Sequence, residues 1–582
     1  MQNWLKTRFN YLRKQFASRS FTFDDLKKTL DEKFHDKEEK LLVMLSELNK
    51  EGLLKVDLDD TDNRKKVYHL IDPQLELLKK EVLDRKDLEA ILKEAADLIR
   101  TKVDYSFILL LLFYKKVSDK WESDYEKAFH ESIDVYKLSE DEAKQNAENP
   151  TYHDFIIPKE YLWNNIRKEP GKLAENFSMA MKVLAEKNPG YKDVFENFDF
   201  TQFVSNRENQ EILSQLVEIF SINSLDKASP DVLGDAYEWL IRLFAPQKAK
   251  EGEVYTPREI IDLLVHLLEP QPGESIYDPS LGSAGMLIGA FRLVKEKFGD
   301  EAAKTLFLYG QEANYRTRSI AKMNLYLHGI KNGTPEYGDT LLYPKFRVDG
   351  SLQKFDVVMA NPPWNQDGYG EDSIKKGDFW KERFNDYGFA PDQSADWMWI
   401  AHMYASSTED KGRLGIVLDS GSLFRGGKER VIREKFIKQN AIECVIVLPE
   451  KLFYNTGAPG AILVLNKNKR PETEDKIIFI NASNEFIKHP EVRRLNSLSV
   501  ENIKNIVDTY KIFEEKEGFS RAVELKEIEE NDFNLNVSLY VYPEDEKEHI
   551  DVRKEWNELG KIERELKDVD ARLEKYLAEL KY

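Results

Sequence analysis

Asn361-Pro362-Pro363-Trp364 lies directly after the apolar run Phe355 to Met359, and each residue type in it has a chemical use. Two consecutive prolines cannot continue a sheet, so the chain must leave the strand there and expose Asn361 at the carboxyl edge. An aromatic amino nitrogen such as that of adenine is a poor nucleophile, because its lone pair is delocalised into the ring. The side-chain oxygen of Asn361 and the carbonyl of Pro362 could accept its two hydrogens. That favours a pyramidal nitrogen whose lone pair points at a sulfonium methyl. Catalysis of this kind rests on positioning the reactants and on stabilising charge as it develops. Trp364 supplies a flat face for a base flipped from a duplex. By composition alone, the tetrapeptide could equally be a structural turn.

A second stretch, Asp278-Pro279-Ser280-Leu281-Gly282-Ser283-Ala284-Gly285, sits between a predicted strand and a helix starting near Met286. Small residues let the backbone approach a ligand closely, and N–H groups at a helix start favour polar or anionic groups. In an open α/β sheet, ligands sit outside the carboxyl ends of the strands. The spacing is not the GxGxxG of dinucleotide enzymes, and no Lys-Ser/Thr follows to make a phosphate loop. Taken alone, a tight turn without a ligand is the plain alternative. With Asn361 downstream in the same α/β segment, the two stretches read as a cofactor loop followed by a catalytic one.

The elements that must position them follow from periodicity. Short β-rich runs at Ser275 to Tyr277, Thr305 to Tyr309, Phe355 to Met359, Leu414 to Leu418 and Ile442 to Val447 alternate with helical stretches, which argues for a parallel α/β sheet over 251–470. From 76 to 250 the pattern is helical almost throughout, with a buried segment at Phe107 to Tyr114. Residues 1–75 read as helix, helix and hairpin, the order of a winged helix, with Asp57, Asp59, Asp60 and Asp62 in the wing. Those acids would repel phosphate, so protein docking and DNA contact both stay open for this module. Residues 471–582 are more polar and end in a long helix. Its Leu559, Ile562, Leu566, Val569, Leu573, Tyr576 and Leu580 form a heptad seam for packing on its own domain or on a partner's helix.

Composition narrows the class. A chain of 582 residues needs more than one core. No apolar run approaches the roughly 20 residues a bilayer demands, and Met1 to Ser20 does not read as a signal peptide. The single cysteine, Cys444, excludes an internal disulfide and points to a reducing cytoplasm. A net charge of -19 is awkward for a nucleic-acid enzyme, unless a small basic face or a partner subunit holds the duplex.

On these motifs the sequence resembles the N6-adenine DNA methyltransferases, and more closely the modification subunits of type I restriction systems. Further matches to that pattern are Gly234-Asp235-Ala236-Tyr237-Glu238-Trp239-Leu240, Glu253-Val254-Tyr255-Thr256-Pro257-Arg258, Tyr309-Gly310-Gln311-Glu312, Gly338-Asp339-Thr340, Leu423-Phe424-Arg425-Gly426-Gly427 and Leu448 to Gly457. The match runs from about Val82 to Lys469 and does not cover the first 75 residues. The resemblance implies a doubly wound, Rossmann-like α/β methyltransferase domain, an N-terminal helical domain, the winged-helix-like module and a C-terminal helical tail for assembly. It implies S-adenosylmethionine bound by Glu253 to Arg258, Asp278, Gly282, Ser283, Ala284, Gly285, Glu312 and Asp339. Glu312 would hold the ribose hydroxyls, and Asp339 would lie near the cofactor adenine. Asn361, Pro362, Pro363 and Trp364 would be catalytic, with no metal. The implied partners are DNA, a specificity subunit, a second copy of the modification subunit and a restriction (motor-nuclease) subunit.

Leu281 departs from the pattern, where many relatives carry a small residue or Cys, and is expected to add bulk near the pocket. Ala284 stands where Gly is frequent and is expected to cost little. Arg425, Lys428, Arg430 and Arg433 could touch phosphates or form a solvated helix face. Trp4, Lys6, Arg8, Tyr11, Arg13 and Lys14 read as an amphipathic helix packing on the protein, and His153 beside Asp154 as a coincidence. Three alternatives to adenine methylation stand: another acceptor (protein glutamine or RNA), N4-cytosine, and a degenerate methyltransferase kept as a DNA-binding scaffold.

Overall fold

The computed structural model describes residues 3–16, 20–50, 53–58, 66–70, 82–99, 104–203, 207–248, 255–377, 379–454 and 456–542, together with 556, 559–562, 564–567, 569, 572 and 573. The chain divides into two compact units, Met1–Tyr255 with Tyr277–Thr340, and Thr256–Ile276 with Leu341–Tyr582.

The first unit begins with a small module. Helices Asn3–Phe16, Phe23–Phe34 and Glu38–Lys50 precede an antiparallel pair, Leu54–Leu58 with Lys66–Leu70, to which Phe21 adds a bridge at Tyr68. Leu5, Phe9, Leu12, Leu26, Leu30, Leu41 and Leu48 form its core. The first helix packs on the protein as its pattern predicts: Arg8 pairs with Asp36 rather than facing solvent. The wing acids Asp59, Asp60 and Asp62 lie outside the described residues.

Helices from Arg85–Ile99 to Pro230–Lys248 follow, around one extended apolar core. Every residue from Phe107 to Tyr114 is buried in helix Ser106–Asp134. His153 stacks on Trp121 with ring centroids 4.5 Å apart and bonds the Ala147 carbonyl, while Asp154 pairs with Lys331. Both are structural.

Nine strands carry the α/β parts of the two units: β1 (Ser275–Asp278), β2 (Phe307–Glu312), β3 (Gly333–Tyr337), β4 (Val357–Ala360), β5 (Arg413–Asp419), β6 (Ile442–Val447), β7 (Gly460–Asn466), β8 (Lys476–Asn481) and β9 (Ser520–Glu524). The division between the units falls inside β1. In the first unit the order is β1-β2-β3, with β2 and β3 parallel. Helices Gly285–Phe298 and Tyr315–Leu327 follow β1 and β2. In the second unit it is β9-β8-β6-β7-β5-β4-β1. There β4, β5, β6 and β8 share one direction, while β7 runs against both β5 and β6, and β9 against β8.

Four strands escape the sequence pattern. Strand β3 carries Pro335, which a sheet tolerates only at an edge, and β3 is the edge. Strand β7 is an antiparallel insertion, which helix-strand alternation does not announce. Strands β8 and β9 extend the sheet beyond residue 470, where composition alone turns polar. Helix Arg258–Leu268 lies so close to β5 that a Cβ on Gly415 would stand 2.6 Å from Leu264 Cδ1. At the C-terminus, the described seam residues Leu559, Ile562, Leu566, Val569 and Leu573 are 50–61% exposed. Tyr576 and Leu580 lie outside the described residues.

Candidate functional site

In the first unit, β1 ends at Asp278 and the chain turns through Gly282 (φ +53°) and Ala284 (φ +69°) into the helix starting at Gly285. Glu312, the last residue of β2, reaches this turn: its carboxylate accepts the Gly282 N–H at 2.9 Å and the Asn314 N–H at 2.8 Å. Asp278 is buried, and its carboxyl accepts the Ser280 N–H at 3.0 Å. Burial, with the Glu312 charge nearby, pushes this carboxyl up to about 7. The segment after β3 is laced to the same turn. The Gln311 amide donates to the Gly338 carbonyl at 3.0 Å and the Thr340 hydroxyl to the Pro279 carbonyl at 2.6 Å, on either side of Asp339. Predicted residues Asp278, Gly282 to Gly285, Glu312 and Asp339 are thus gathered at the carboxyl ends of β1, β2 and β3.

Leu281 in this turn faces the neighbouring strand. It is buried, and a Cβ placed on Gly310 of β2 would meet its Cδ1 at 2.4 Å. The side chain therefore packs down onto a glycine in the neighbouring strand. Ala284 adopts a left-handed backbone that costs a non-glycine residue roughly 1–2 kcal/mol. Its buried methyl offsets part of that cost. No motif marks Asn324: wholly buried on helix Tyr315–Leu327, it donates to the Ser283 carbonyl at 2.8 Å and ties the turn down. Tyr255 packs against the helical core. Glu253 and Val254 lie outside the described residues.

In the second unit, β4 is wholly buried and the chain leaves it at Asn361, Pro362 and Pro363. Asn361 is itself buried, and both ends of its amide are held. The nitrogen donates to the Thr256 hydroxyl at 2.9 Å, and the oxygen accepts the Trp364 indole N–H at 3.1 Å. Thr256, predicted to hold cofactor, thus lies against the predicted catalytic asparagine. Pro257 and Arg258 begin the helix that follows. Trp364 meets Phe453 edge-on, with centroids 4.7 Å apart. A Cβ on Gly460, at the start of β7, would stand 2.8 Å from Phe453 and 3.0 Å from Trp364, so a glycine is required for the two rings to sit there. Besides offering a stacking face, the Trp364 indole sets the asparagine.

The cations after β5 are largely occupied. Arg425 binds Asn365, Asp396, Asp419 and Glu429, Arg430 binds Glu434 and Asp532, and buried Arg433 donates to the carbonyls of Phe533, Ser422 and Arg425. The phosphate reading of these three arginines is not what the structure favours. Arg425 and Arg433 brace the loop, and Asn365, directly after the tetrapeptide, is held by Arg425.

A loop at β1, an acid ending β2 and an asparagine followed by two prolines after β4 make up a pattern that can be compared with known proteins. The N-6 DNA methylase profile matches residues 228–549, and the profile of the HsdM N-terminal domain matches residues 88–220. The chain belongs to the N-6 DNA methylase family. It is 42% identical to the type I restriction enzyme MjaVII methylase subunit of Methanocaldococcus jannaschii, over 98% of this chain and 96% of that one. The MjaVIII methylase subunit of the same organism is also 42% identical, over 98% and 97%. The crystal structure of the type I methyltransferase subunit from Streptococcus thermophilus superposes with a TM-score of 0.68 at 28% identity, covering 79% of this chain and all of that one.

This N-6 DNA methylase is accordingly the modification subunit of a type I restriction-modification system, and its activity is adenine N6 methylation of DNA. The scaffold and other-acceptor alternatives are not favoured. Among the described residues no helix is long and apolar enough to cross a membrane, and no cluster of three or more His, Cys, Asp or Glu could hold a metal.

Proposed function

We propose that the methyl donor is S-adenosylmethionine and that the turn at β1, with Glu312 and Asp339, holds it. The chemistry of the donor set fits: a buried carboxyl and a second acid at one turn suit a cationic, hydroxyl-bearing ligand. Glu312 already spends oxygens on Gly282 and Asn314 and keeps lone pairs for ribose hydroxyls. When bound, S-adenosylmethionine supplies a methyl group made electrophilic by its sulfonium.

The chain's own residues do the rest. The single observation that carries the reading is the clamped amide of Asn361. With Thr256 on its nitrogen and Trp364 on its oxygen, the amide cannot rotate, so its remaining oxygen lone pair is aimed before substrate arrives. That lone pair and the Pro362 carbonyl accept the two hydrogens of the adenine amino group, and the Trp364–Phe453 pair walls the flipped base. The nitrogen attacks directly and its proton leaves afterwards, with no covalent enzyme intermediate.

The proposed assembly holds a specificity subunit that reads the target, a second copy of this chain, DNA and a restriction subunit. The exposed seam at Leu559 to Leu573 is the surface for a partner helix. The test is methyl transfer from labelled S-adenosylmethionine to DNA with nucleoside analysis, run with the chain alone and with the specificity subunit. N6-methyladenine only with the partner is the expected result. No cofactor binding by the chain would overturn the reading.

A further inference from the structure

A small basic face does exist on this acidic chain, although none of the sequence motifs points to it. After β8 the chain runs through an irregular hairpin, in which Ile487–Lys488 pairs antiparallel with Asn496–Ser497. Its turn carries Arg493 and Arg494, both exposed, and neither makes an ion pair or hydrogen bond among the described residues. Every other arginine between residues 341 and 542 forms an ion pair with a carboxylate or donates to a backbone carbonyl. Lys488 is exposed beside Phe486, its ammonium 5.3 Å from the ring centroid. Lys451 is also exposed and makes no ion pair among the described residues, and the adjoining Glu450, the hairpin's Glu491 and Glu259, which accepts the Ser497 hydroxyl, are carboxylates set against these four cations.

The hairpin is fixed rather than trailing. Asn496 donates its backbone N–H to the Lys451 carbonyl at 2.8 Å and its amide to the Glu450 carbonyl at 2.8 Å. The Ser497 hydroxyl reaches Glu259 at 2.8 Å, and the His489 ring accepts the N–H groups of Glu491 and Val492. Residues 450 and 451 open the loop after β6 that two residues later delivers Phe453 to the edge of Trp364. The same two carbonyls that seat the hairpin thus belong to the loop that walls the proposed base site.

Two adjacent unpaired guanidiniums on a fixed turn repel one another, and they match the forked geometry of phosphate oxygens. Resting on the reading of Asn361 and Trp364 above, we infer that the hairpin 486–497, with Arg493 and Arg494 leading and Lys451 and Lys488 flanking, grips the DNA backbone beside the flipped adenine. It carries no base readout; it fixes where the duplex lies while the target base enters.

The test uses the full chain assembled with its specificity subunit, wild type against Arg493→Ala/Arg494→Ala and Arg493→Lys/Arg494→Lys. DNA affinity is measured across a salt series by fluorescence anisotropy, alongside S-adenosylmethionine affinity. Loss of two phosphate contacts should flatten the slope of log K against log salt by about 1.8 and weaken binding roughly 10- to 50-fold at 0.15 M salt, equally for target and non-target duplexes. Cofactor affinity should not move, and the lysine pair should restore most of the slope. An unchanged slope in an alanine variant that still methylates DNA would overturn the inference alone. So would weakened association with the specificity subunit at an unchanged slope, since the hairpin would then be a protein interface. A wild-type assembly that binds no DNA would overturn the inference and the function beneath it together.

Discussion

Cofactor affinity should titrate through Asp278. In the unliganded protein, burial holds this carboxyl up at about 7, against 3.8 for the free side chain, with the Glu312 charge adding to the effect. A cationic ligand interacts favourably only with the ionised form. At pH 6 about a tenth of the protein has Asp278 ionised and at pH 8 about nine-tenths, so apparent affinity for S-adenosylmethionine should rise roughly tenfold between them, about 1.4 kcal/mol. The sign for stability is the opposite. A carboxyl whose folded pKa is raised adds stability at low pH that is lost as pH rises from about 4 through 7, and bound ligand should reverse the loss. Calorimetric titration at pH 6, 7 and 8 of wild type and Asp278→Asn isolates the group, because the ligand's own amino titration is common to both proteins. The wild type should steepen with pH while the asparagine variant stays weak with only the shared background. Parallel curves would refute the reasoning and return Asp278 to a purely structural role.

Asn361→Ala should lose at least a hundredfold in methyl transfer while S-adenosylmethionine affinity stays within about threefold, measured by single-turnover kinetics and equilibrium binding; equal loss of both would count against the assigned role. Trp364→Phe keeps a ring but removes the bond to the Asn361 oxygen, worth about 1 kcal/mol, so turnover should fall about fivefold, whereas Trp364→Ala should fall much further. Gly310→Ala drives a methyl to 2.4 Å from Leu281 and should cost about 1–3 kcal/mol in thermal or urea unfolding of the first unit, with Leu281→Ala in the same chain recovering part of it.

Much of this site can be read in one dimension because its residues are consecutive. The turn from Asp278 to Gly285 and the run from Asn361 to Trp364 each announce a ligand and a strand end within one short stretch. The groups that hold them come from elsewhere in the chain. Asn324 ties down Ser283 from 41 positions away, and Arg425 braces Asn365 across 60, with nothing in their local sequence to say so. The seat of Leu281 is hidden for the same reason. Its side chain answers to Gly310, and a bulky residue facing a glycine on the next strand leaves no periodic trace. In the sheet, helix-strand alternation exposes β1, β2, β4, β5 and β6. The antiparallel β7, the proline-bearing β3 and the polar-flanked β8 and β9 obey other rules. The arginines after β5 look on paper like a phosphate-binding run, yet three of them are consumed internally, while the unpaired pair lies in a turn that no motif marks.

The seating of Leu264 on Gly415 sets a schedule for synthesis. Helix Arg258–Leu268 emerges from the ribosome before β1, yet it belongs to the second unit, and the strand it covers is made about 150 residues later. At roughly 5–20 residues per second, this helix waits on the order of ten to thirty seconds for its partner. Seven of its eleven residues are apolar side chains that end up buried. During that wait they are a greasy stripe without a home, open to chaperones and to premature association with other nascent chains. Slowing translation between residues 268 and 413 should therefore lower the yield of folded protein more than the same pause placed after residue 466.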